Sequence, residues 1–571
     1  MPLILIFLVG LGVVFNAHAQ PAPEGESGWR ARTAVETRRD MVVAAHPLAV
    51  QAGVEMLAAG GSATDAAIAA QWVLGLVEPQ SSGLGGGGFF LYYDAQRNTI
   101  QSIDGRETAP ASAQPQRFLD TNEQPMPYTQ AVVSGLSVGV PGLVRALEMA
   151  HAEQGRLPWA QLFAPAIALA EHGFQVTHRL HTLLSRERWL RDDAAARALF
   201  YDAQGAPRAV GAVLVNRAYA NTLRAIAQHG AQAFYTGPIA NDMVQAVQQH
   251  PRPGDMRLSD LQSYRAVRRA PVCGPYRQWR ICSMAPPSAG GVAVLQLLGF
   301  LERTHFASYA PASEAAIHVF SEAGRLAYAD RARWIADPNF VSQPTDGLLE
   351  PAYLQQRAQQ IGARSMGYAR PGLPQGAHAF SAGEDREAAG TTQVSVVDTQ
   401  GNAVSLTSSI ESQFGSRIFV RGFLLNNQLT DFSFVPRTHE GWVANRVEGG
   451  KRPRSSMAPT LVFDAQGQLT HVLGSPGGPA IINYVAKTLV GLLDWKLDVQ
   501  AAIDLPNVGS TNGPTFIERG SAWEDLGDAL SARGHVLSFR PMTSGVHAIE
   551  RIANGWRGGA DPRREGQAAG H

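Results

Sequence analysis

The stretch Gly390-Thr391-Thr392-Gln393-Val394-Ser395-Val396-Val397 decides the reading of this chain. Its second half alternates small polar and β-branched residues. The turn Asp398-Thr399-Gln400-Gly401-Asn402 follows, and Ala403-Val404-Ser405-Leu406-Thr407 returns, which together spell a β-hairpin. Upstream, Ser381 to Gly390 has no apolar period and no aromatic residue, so it is expected to be mobile and exposed. A cut before Thr391 would leave a threonine at a new N-terminus, at the edge of a rigid sheet. A free α-amino group has a pKa of roughly 7.7–8.0, so part of it is unprotonated near neutral pH. It can then take the proton from its own hydroxyl and so activate the nucleophile.

Three later segments supply partners for that threonine. Leu424-Leu-Asn-Asn-Gln428-Leu-Thr-Asp431-Phe432 sets amides and a carboxylate just after a strand. Lys451-Arg-Pro-Arg-Ser455-Ser456-Met-Ala-Pro459 offers paired hydroxyls on a proline-bounded loop. Gly474-Ser-Pro-Gly477-Gly478 is a tight turn after the strand Leu469-Thr-His-Val-Leu473, with backbone N–H groups exposed. A nucleophile with its own base, an oxyanion-stabilising turn and polar groups for a zwitterionic substrate make an acyl-transfer site.

On these segments the chain resembles the γ-glutamyltransferases (γ-glutamyltranspeptidases) of the N-terminal-nucleophile hydrolase superfamily. The resemblance runs nearly end to end after the leader. It includes Pro47 to Asp65, Gly83-Leu-Gly-Gly-Gly-Gly88-Phe89, Asp104-Gly-Arg106-Glu-Thr-Ala-Pro110 and Ser137-Val-Gly-Val-Pro-Gly142. It continues through Pro286-Pro-Ser-Ala-Gly-Gly291, the Thr391 segment, the three segments above and Ala560-Asp561-Pro-Arg563. It implies a four-layer α-β-β-α sandwich built jointly by two fragments of one precursor, a large subunit of residues 20–390 and a small catalytic one of 391–571. The cut falls between Gly390 and Thr391. Thr391 is then the nucleophile, Ser409 orients its hydroxyl, and Gly477 and Gly478 supply the oxyanion N–H groups. Arg106, Ser455 and Ser456 hold the substrate α-carboxylate, while Gln428 and Asp431 bind its α-ammonium. The implied activity is that of a self-processing γ-glutamyltransferase and glutathione hydrolase. It cleaves γ-glutamyl amides such as glutathione through a threonine ester and passes the acyl group to water or to an amino acid or peptide acceptor. Neither the residues nor the resemblance implies a cofactor or a metal.

The chain departs from the better-known members in three places. Glu411 stands where they have an asparagine that touches the substrate; an acid there suits the ammonium end and repels the carboxylate. The stretch Ser433 to Gly450 is shorter than their lid loop and lacks its tyrosine, with Trp442 the aromatic near its middle. Gln428 is neutral where some relatives have a glutamate. These changes keep the reaction class and leave open a related acylase acting on a glutaryl or cephalosporin-type side chain.

Composition bounds the rest. The 571 residues carry 48 Lys+Arg against 48 Asp+Glu, are 45% hydrophobic and only 17% charged, so they hold a large core and no basic stripe for nucleic acid. The run Met1 to Phe15 followed by Ala17-His18-Ala19 reads as a signal peptide over 1–19, although no Lys or Arg precedes the apolar run. An exported protein, periplasmic or secreted and without stable membrane insertion, is expected. Cys273 and Cys282 flank a hairpin with its turn near Arg277-Gln278; equal offsets put them on facing strands, and export favours a disulfide.

Helix signals appear at Pro47 to Ala59, from Ser62 onward with Asp65 completing a capping box, and at Leu162 to Glu171, Asn216 to Gln228, Ala315 to Arg333 and Ile482 to Leu493. Strand pairs are expected at Gly88 to Tyr93 with Thr99 to Ile103, at Thr460 to Leu473, and near His535 to Ile552. Hairpins interleaved with helices argue for α+β layers rather than a doubly wound sheet. Two rival readings are carried forward. Gly135-Leu-Ser137-Val-Gly139 matches a serine nucleophile elbow behind a strand at Thr129 to Val133, although Pro141-Gly142 interrupts the helix that should follow. A secreted, non-catalytic binding protein on the same scaffold is the other. Gly85 to Gly88 lacks the Gly-Lys-Ser/Thr of a phosphate loop, and His178 with His181 has no third ligand nearby, so neither is read as a site.

Overall fold

The computed structural model describes residues 28–384, 387 and 390–571; the leader at 1–19, its cleavage motif and part of the segment before Gly390 lie outside the described residues. Fourteen strands form two seven-stranded sheets. In chain order they are β1 (Val35–Thr37), β2 (Met41–Ala44), β3 (Gly87–Asp94), β4 (Thr99–Gly105), β5 (Val267–Arg269), β6 (Val272–Tyr276) and β7 (Trp279–Ser283). After them come β8 (Gly390–Val397), β9 (Ala403–Glu411), β10 (Thr460–Phe463), β11 (Leu469–Gly474), β12 (His547–Ile552), β13 (Gly555–Ala560) and β14 (Gln567–Ala569). The first sheet runs β14-β2-β8-β9-β3-β4-β5 and the second β1-β13-β12-β11-β10-β7-β6. Each therefore interleaves strands from before and after residue 390.

Strand alternation sorts the side chains into layers. On β2, Val42 and Ala44 face the helices Pro47–Ala58 and Ala63–Val77, while Met41 and Val43 face the other sheet. On β8, Val394 and Val396 join the same helix-side core and Val397 the inter-sheet one. The second sheet is covered outside by the helices Gly290–Glu302, Glu314–Trp334 and Ile481–Leu493. The order helix, sheet, sheet, helix is the four-layer sandwich expected.

Between the sheets the filling changes along β8. One end is apolar, with Met41, Leu91, Tyr93, Leu461, Phe463, Val472 and Ile549 packed together. Toward Thr391 it turns polar. Gln393 Nε2 donates to Ser405 Oγ at 2.9 Å, Thr407 donates to Gln393 Oε1 at 2.5 Å, and Ser395 and Ser405 donate across to His547 O and Leu473 O at 2.8 and 2.9 Å. Bridging hydroxyls and amides satisfy one another there, so the Thr391 end of the sandwich is filled by a hydrogen-bonded polar network.

Several local expectations hold. Ser62 and Asp65 form a full capping box, and the 390–411 hairpin pairs Thr391 with Ser409. Cys273 faces Cys282 across β6 and β7 in a disulfide, with the turn at Arg277. Others are corrected. Tyr128–Val132 is a helix begun after Pro127, not a strand. The serine elbow thus loses its strand, and Ser137 is fully buried with its hydroxyl on Val132 O and Ser134 O. The region near 535–552 is not one strand pair: Leu537–Arg540 joins Thr515–Glu518 in a small sheet, whereas His547–Ile552 pairs with β13. Most of the described residues before Gly390 are buried or half-buried, with Glu384 exposed. Ser381 is buried and donates to Trp442 O at 2.9 Å, Gly383 N donates to Ala332 O at 3.1 Å, and the Glu387 carboxylate is ion-paired with Arg331. Backbone pairing and one buried ion pair override the polar composition.

Candidate active site

Thr391 enters β8 at a register shift between Gly390 and Thr391, is almost completely buried, and sits opposite Ser409. Its hydroxyl donates to Ser409 Oγ at 3.1 Å, and Ser409 donates to the Gly390 carbonyl oxygen at 2.8 Å. Glu411 N donates to the same Ser409 oxygen at 2.8 Å. One hydroxyl thus orients the Thr391 oxygen and polarises the carbonyl just before it. On the other side Arg564 Nη1 donates to Thr391 O at 3.2 Å and its Nε to Ser544 O at 2.9 Å.

The glycine turn lies beside this strand end. Gly474 packs directly on the Gln393 side chain, and a Cβ at Gly545 would meet Pro476 Cγ at 2.5 Å and Arg564 Cδ at 2.7 Å. Gly477 and Gly478 both have positive φ, +139° and +54°, a region that favours glycine. Among the described residues neither of their N–H groups has a hydrogen-bond acceptor. Two adjacent unspent donors are what a developing oxyanion needs.

Arg106 is fully buried and fixed at three points. Nε donates to Pro453 O at 3.1 Å, and Nη2 donates to Arg454 O at 2.7 Å and to Asp431 Oδ2 at 2.5 Å. It is thereby tied to the backbone just before Ser455 and Ser456. Ser455 Oγ accepts from Met457 N at 3.1 Å, and Ser456 Oγ accepts from Arg331 Nη2 at 2.8 Å. Gln428 Nε2 donates to Asp431 Oδ2 at 2.8 Å. This leaves two buried acceptors, Asp431 Oδ1 and Gln428 Oε1, with no hydrogen-bond donor among the described residues. Burial raises the Asp431 carboxyl above its ordinary range, with Arg106 and the Gln428 hydrogen bond only partly opposing it. Glu411 ends β9 with φ +78°, a conformation costing a non-glycine residue about 1–2 kcal/mol. Its carboxylate accepts from Tyr128 and Asn427.

The structure therefore gathers Thr391 with Ser409, and Arg106 with Gln428, Asp431, Ser455 and Ser456, as expected from sequence. It adds residues that sequence reading passed over. Asn427 lies inside a quoted segment and Arg564 directly follows another. Glu107 follows Arg106, and burial pushes its carboxyl up to about 8 despite Arg106 beside it. Tyr128 carried no signal, since it opens a one-turn helix in an irregular stretch. Away from this site His318, Glu322 and His535 are clustered and buried, but a chain of hydrogen bonds runs through the imidazoles. Thr515 Oγ1 lies 2.7 Å from His535 Nδ1, His535 Nε2 lies 2.8 Å from His318 Nδ1, and His318 Nε2 lies 2.8 Å from Gly362 O. Of the pair His178 and His181, which the sequence does not read as a site, His181 Nδ1 lies within hydrogen-bond distance of Arg208 O at 3.0 Å.

A four-layer α-β-β-α sandwich with a hydroxyl residue opening a central strand beside unspent backbone donors defines the N-terminal-nucleophile hydrolase class. Residues 49–571 match the gamma-glutamyltranspeptidase family, and the chain belongs to that family. It is 35% identical over 583 residues to the glutathione hydrolase proenzyme of Bacillus subtilis (strain 168), covering 100% of this chain and 97% of the relative. It is 34% identical to the acylase ACY 1 proenzyme of Pseudomonas sp. (strain SE83), with 91% of each covered. Among solved structures, the cephalosporin acylase from Bacillus halodurans superposes with a TM-score of 0.83 at 27% identity, over 98% of this chain and 99% of that one.

Proposed function

We propose that this chain is a self-processing γ-glutamyltransferase and glutathione hydrolase. In the precursor the Thr391 hydroxyl attacks the Gly390 carbonyl carbon while Ser409 holds the carbonyl oxygen. The C–N bond gives way to an ester, and water then hydrolyses it, leaving Gly390 as a carboxylate and Thr391 with a free amine. The products are fragments of about 20–390 and 391–571. In the mature enzyme that amine takes the Thr391 hydroxyl proton as the oxygen attacks the γ-amide carbon of a donor such as glutathione. The oxyanion is held by the Gly477 and Gly478 N–H groups, each such donor typically worth about 3 kcal/mol. The amine product leaves with a proton, and the γ-glutamyl ester passes to water or to the amino group of an amino acid or peptide. The leader and the Cys273–Cys282 disulfide support export to the periplasm or beyond. No helix among the described residues is long and apolar enough to cross a membrane.

The observation that carries the substrate class is the pair of buried oxygens, Asp431 Oδ1 and Gln428 Oε1, that have no donor among the described residues, beside Glu411 and opposite Arg106. An α-ammonium fills the acceptors, while Arg106, Ser455 and Ser456 take the α-carboxylate. The acylase reading has the likeness to the Bacillus halodurans structure in its favour. A glutaryl chain, however, has no ammonium and would leave those oxygens buried and unmet.

The test is intact mass of wild type and Thr391→Ala, with γ-glutamyl-anilide turnover on the same samples. Two fragments and turnover in wild type, with an intact inactive variant, are expected. Cleavage with glutaryl turnover and no γ-glutamyl turnover would move the protein to the acylases. An uncut wild-type chain would leave only a binding protein on this scaffold.

A further inference from the structure

The carboxylate of Glu411 is fastened at both oxygens. Oε2 accepts from Asn427 Nδ2, and Oε1 accepts from the Tyr128 hydroxyl at 3.1 Å. Asn427 is itself immobilised, its Oδ1 accepting from Ser412 N and Ser412 Oγ, both at 2.9 Å, and its Nδ2 donating to Thr430 Oγ1 at 3.0 Å. Asn427 and Glu411 belong to the C-terminal part of the chain, whereas Tyr128 reaches them from the part before the cut. The tyrosine ring is half-buried and stacks on Phe434 with centroids 6.3 Å apart, and Phe434 stacks on Phe118 at 4.5 Å. Phe434 lies three residues after Asp431, so this aromatic tier borders the ammonium acceptors. Burial first, then the Glu411 and Asp431 carboxylates, pushes the Tyr128 hydroxyl well above its ordinary pKa, which keeps it a donor throughout the working pH range.

We propose that Tyr128 is a substrate-positioning residue of the γ-glutamyl site: its hydroxyl aims the Glu411 carboxylate at the substrate ammonium, and its ring walls that end of the pocket. The inference rests on the proposed reading of Glu411 and Asp431 as ammonium acceptors. Loss of the hydroxyl removes the donor at Glu411 Oε1 and weakens the hold that aims this carboxylate at the ligand. The ammonium is bound equally in ground and transition states, so the loss should appear in KM rather than kcat.

Tyr128→Phe removes one oxygen and keeps the ring. With γ-glutamyl-anilide as donor we expect complete self-cleavage by intact mass and kcat within about twofold of wild type. KM and the inhibition constant of free glutamate should both rise about five- to tenfold. Glu411→Gln should raise KM at least as much, and the double variant should be no worse than Glu411→Gln alone, because Tyr128 acts through Glu411. Unchanged KM in Tyr128→Phe, or effects that multiply in the double variant, would overturn the inference while leaving the function intact. A merely structural tyrosine would instead lower the cleaved fraction and kcat together. A wild-type enzyme that cuts itself but has no γ-glutamyl turnover would sink the functional reading, and this inference with it.

Discussion

Asp431 and Asp561 are both buried aspartates of the C-terminal part, each beside an arginine, yet their carboxyls are driven in opposite directions. At Asp561 every lone pair is used. Oδ1 accepts from Arg563 N at 3.0 Å and Arg563 Nη1 at 3.2 Å, and Oδ2 accepts from Ser544 Oγ at 2.6 Å and Val546 N at 3.1 Å. Burial alone would raise this carboxyl, but Arg563, the Ser544 hydrogen bond and Lys487 outweigh it and hold it below the ordinary range. At Asp431 one oxygen is met by Arg106 and Gln428, the other has no hydrogen-bond donor among the described residues, and burial outweighs Arg106, Gln428 and Glu411 together. A filled coordination shell marks a structural acid. An unfilled one fits the proposed role of Asp431 as an acid kept for a ligand, whose binding would remove the cost of the unmet oxygen.

The largest test of that contrast is Asp561→Asn. It leaves Arg563 and the 544–546 loop without their shared anion, and we expect a loss of about 3–5 kcal/mol in stability, read as a lower urea midpoint in unprocessed Thr391→Ala protein. The loop carries Gly545 against Pro476, so a lower self-cleaved fraction in the wild-type background should accompany it. Next is Asp431→Asn, which keeps the shape and removes a penalised charge. It leaves buried Arg106 without the Asp431 charge, so some stability is lost but less than in Asp561→Asn, while kcat/KM for a γ-glutamyl donor should fall about 100-fold. Equal destabilisation by the two variants would break the distinction. Replacing Cys273 and Cys282 with serine removes a short cross-strand link on the rim of the second sheet. A loss of about 2 kcal/mol with unchanged activity at 25 °C is expected, and a change in KM would show that the pocket feels the sheet edge.

The smallest effect is on pH dependence. Because burial raises the Asp431 carboxyl, it protonates earlier on acidification than an ordinary aspartate; KM for an ammonium-bearing donor should therefore rise as pH falls, and Asp431→Asn should flatten that profile. Stability falls with acid for a separate reason. His46 and His471 are lowered to about 4, and His535 and His547 to about 3, chiefly by burial. The unfolded chain takes up protons near its ordinary pKa of about 6.5, so stability complete above that pH drains away below it. That loss should be the same in Asp431→Asn, which separates the two effects.

The β8–β9 hairpin was legible because its alternation and its Asp-to-Asn turn are both local, and the helix from Ala63 because its cap lies within four residues. Thr391, Ser409, Arg106 and the Ser455-Ser456 pair were legible as a set through family likeness. The partners of β8 were less so: Met41–Ala44 and Gln567–Ala569 are short, and their neighbours lie hundreds of residues away. Thr129 to Val133 read as a strand from its valines, but Pro127 presets a helix start and the buried Ala131 and Val132 complete it. Tyr128 escaped notice for the same reason: its hydroxyl donates to Glu411, 283 residues away in sequence, and its ring stacks on Phe434, similarly distant.

The interleaving of strands from both sides of residue 390 bears on how long a molecule cut there, as proposed, would last. Uncut, refolding is a one-molecule event whose rate is independent of concentration. Cut, the same sandwich would have to be rebuilt by two chains that each lack strands from both sheets, exposing unpaired edges while they search. The proposed processing would thus make denaturation a one-way step, with working life governed by the rate of unfolding rather than by an equilibrium.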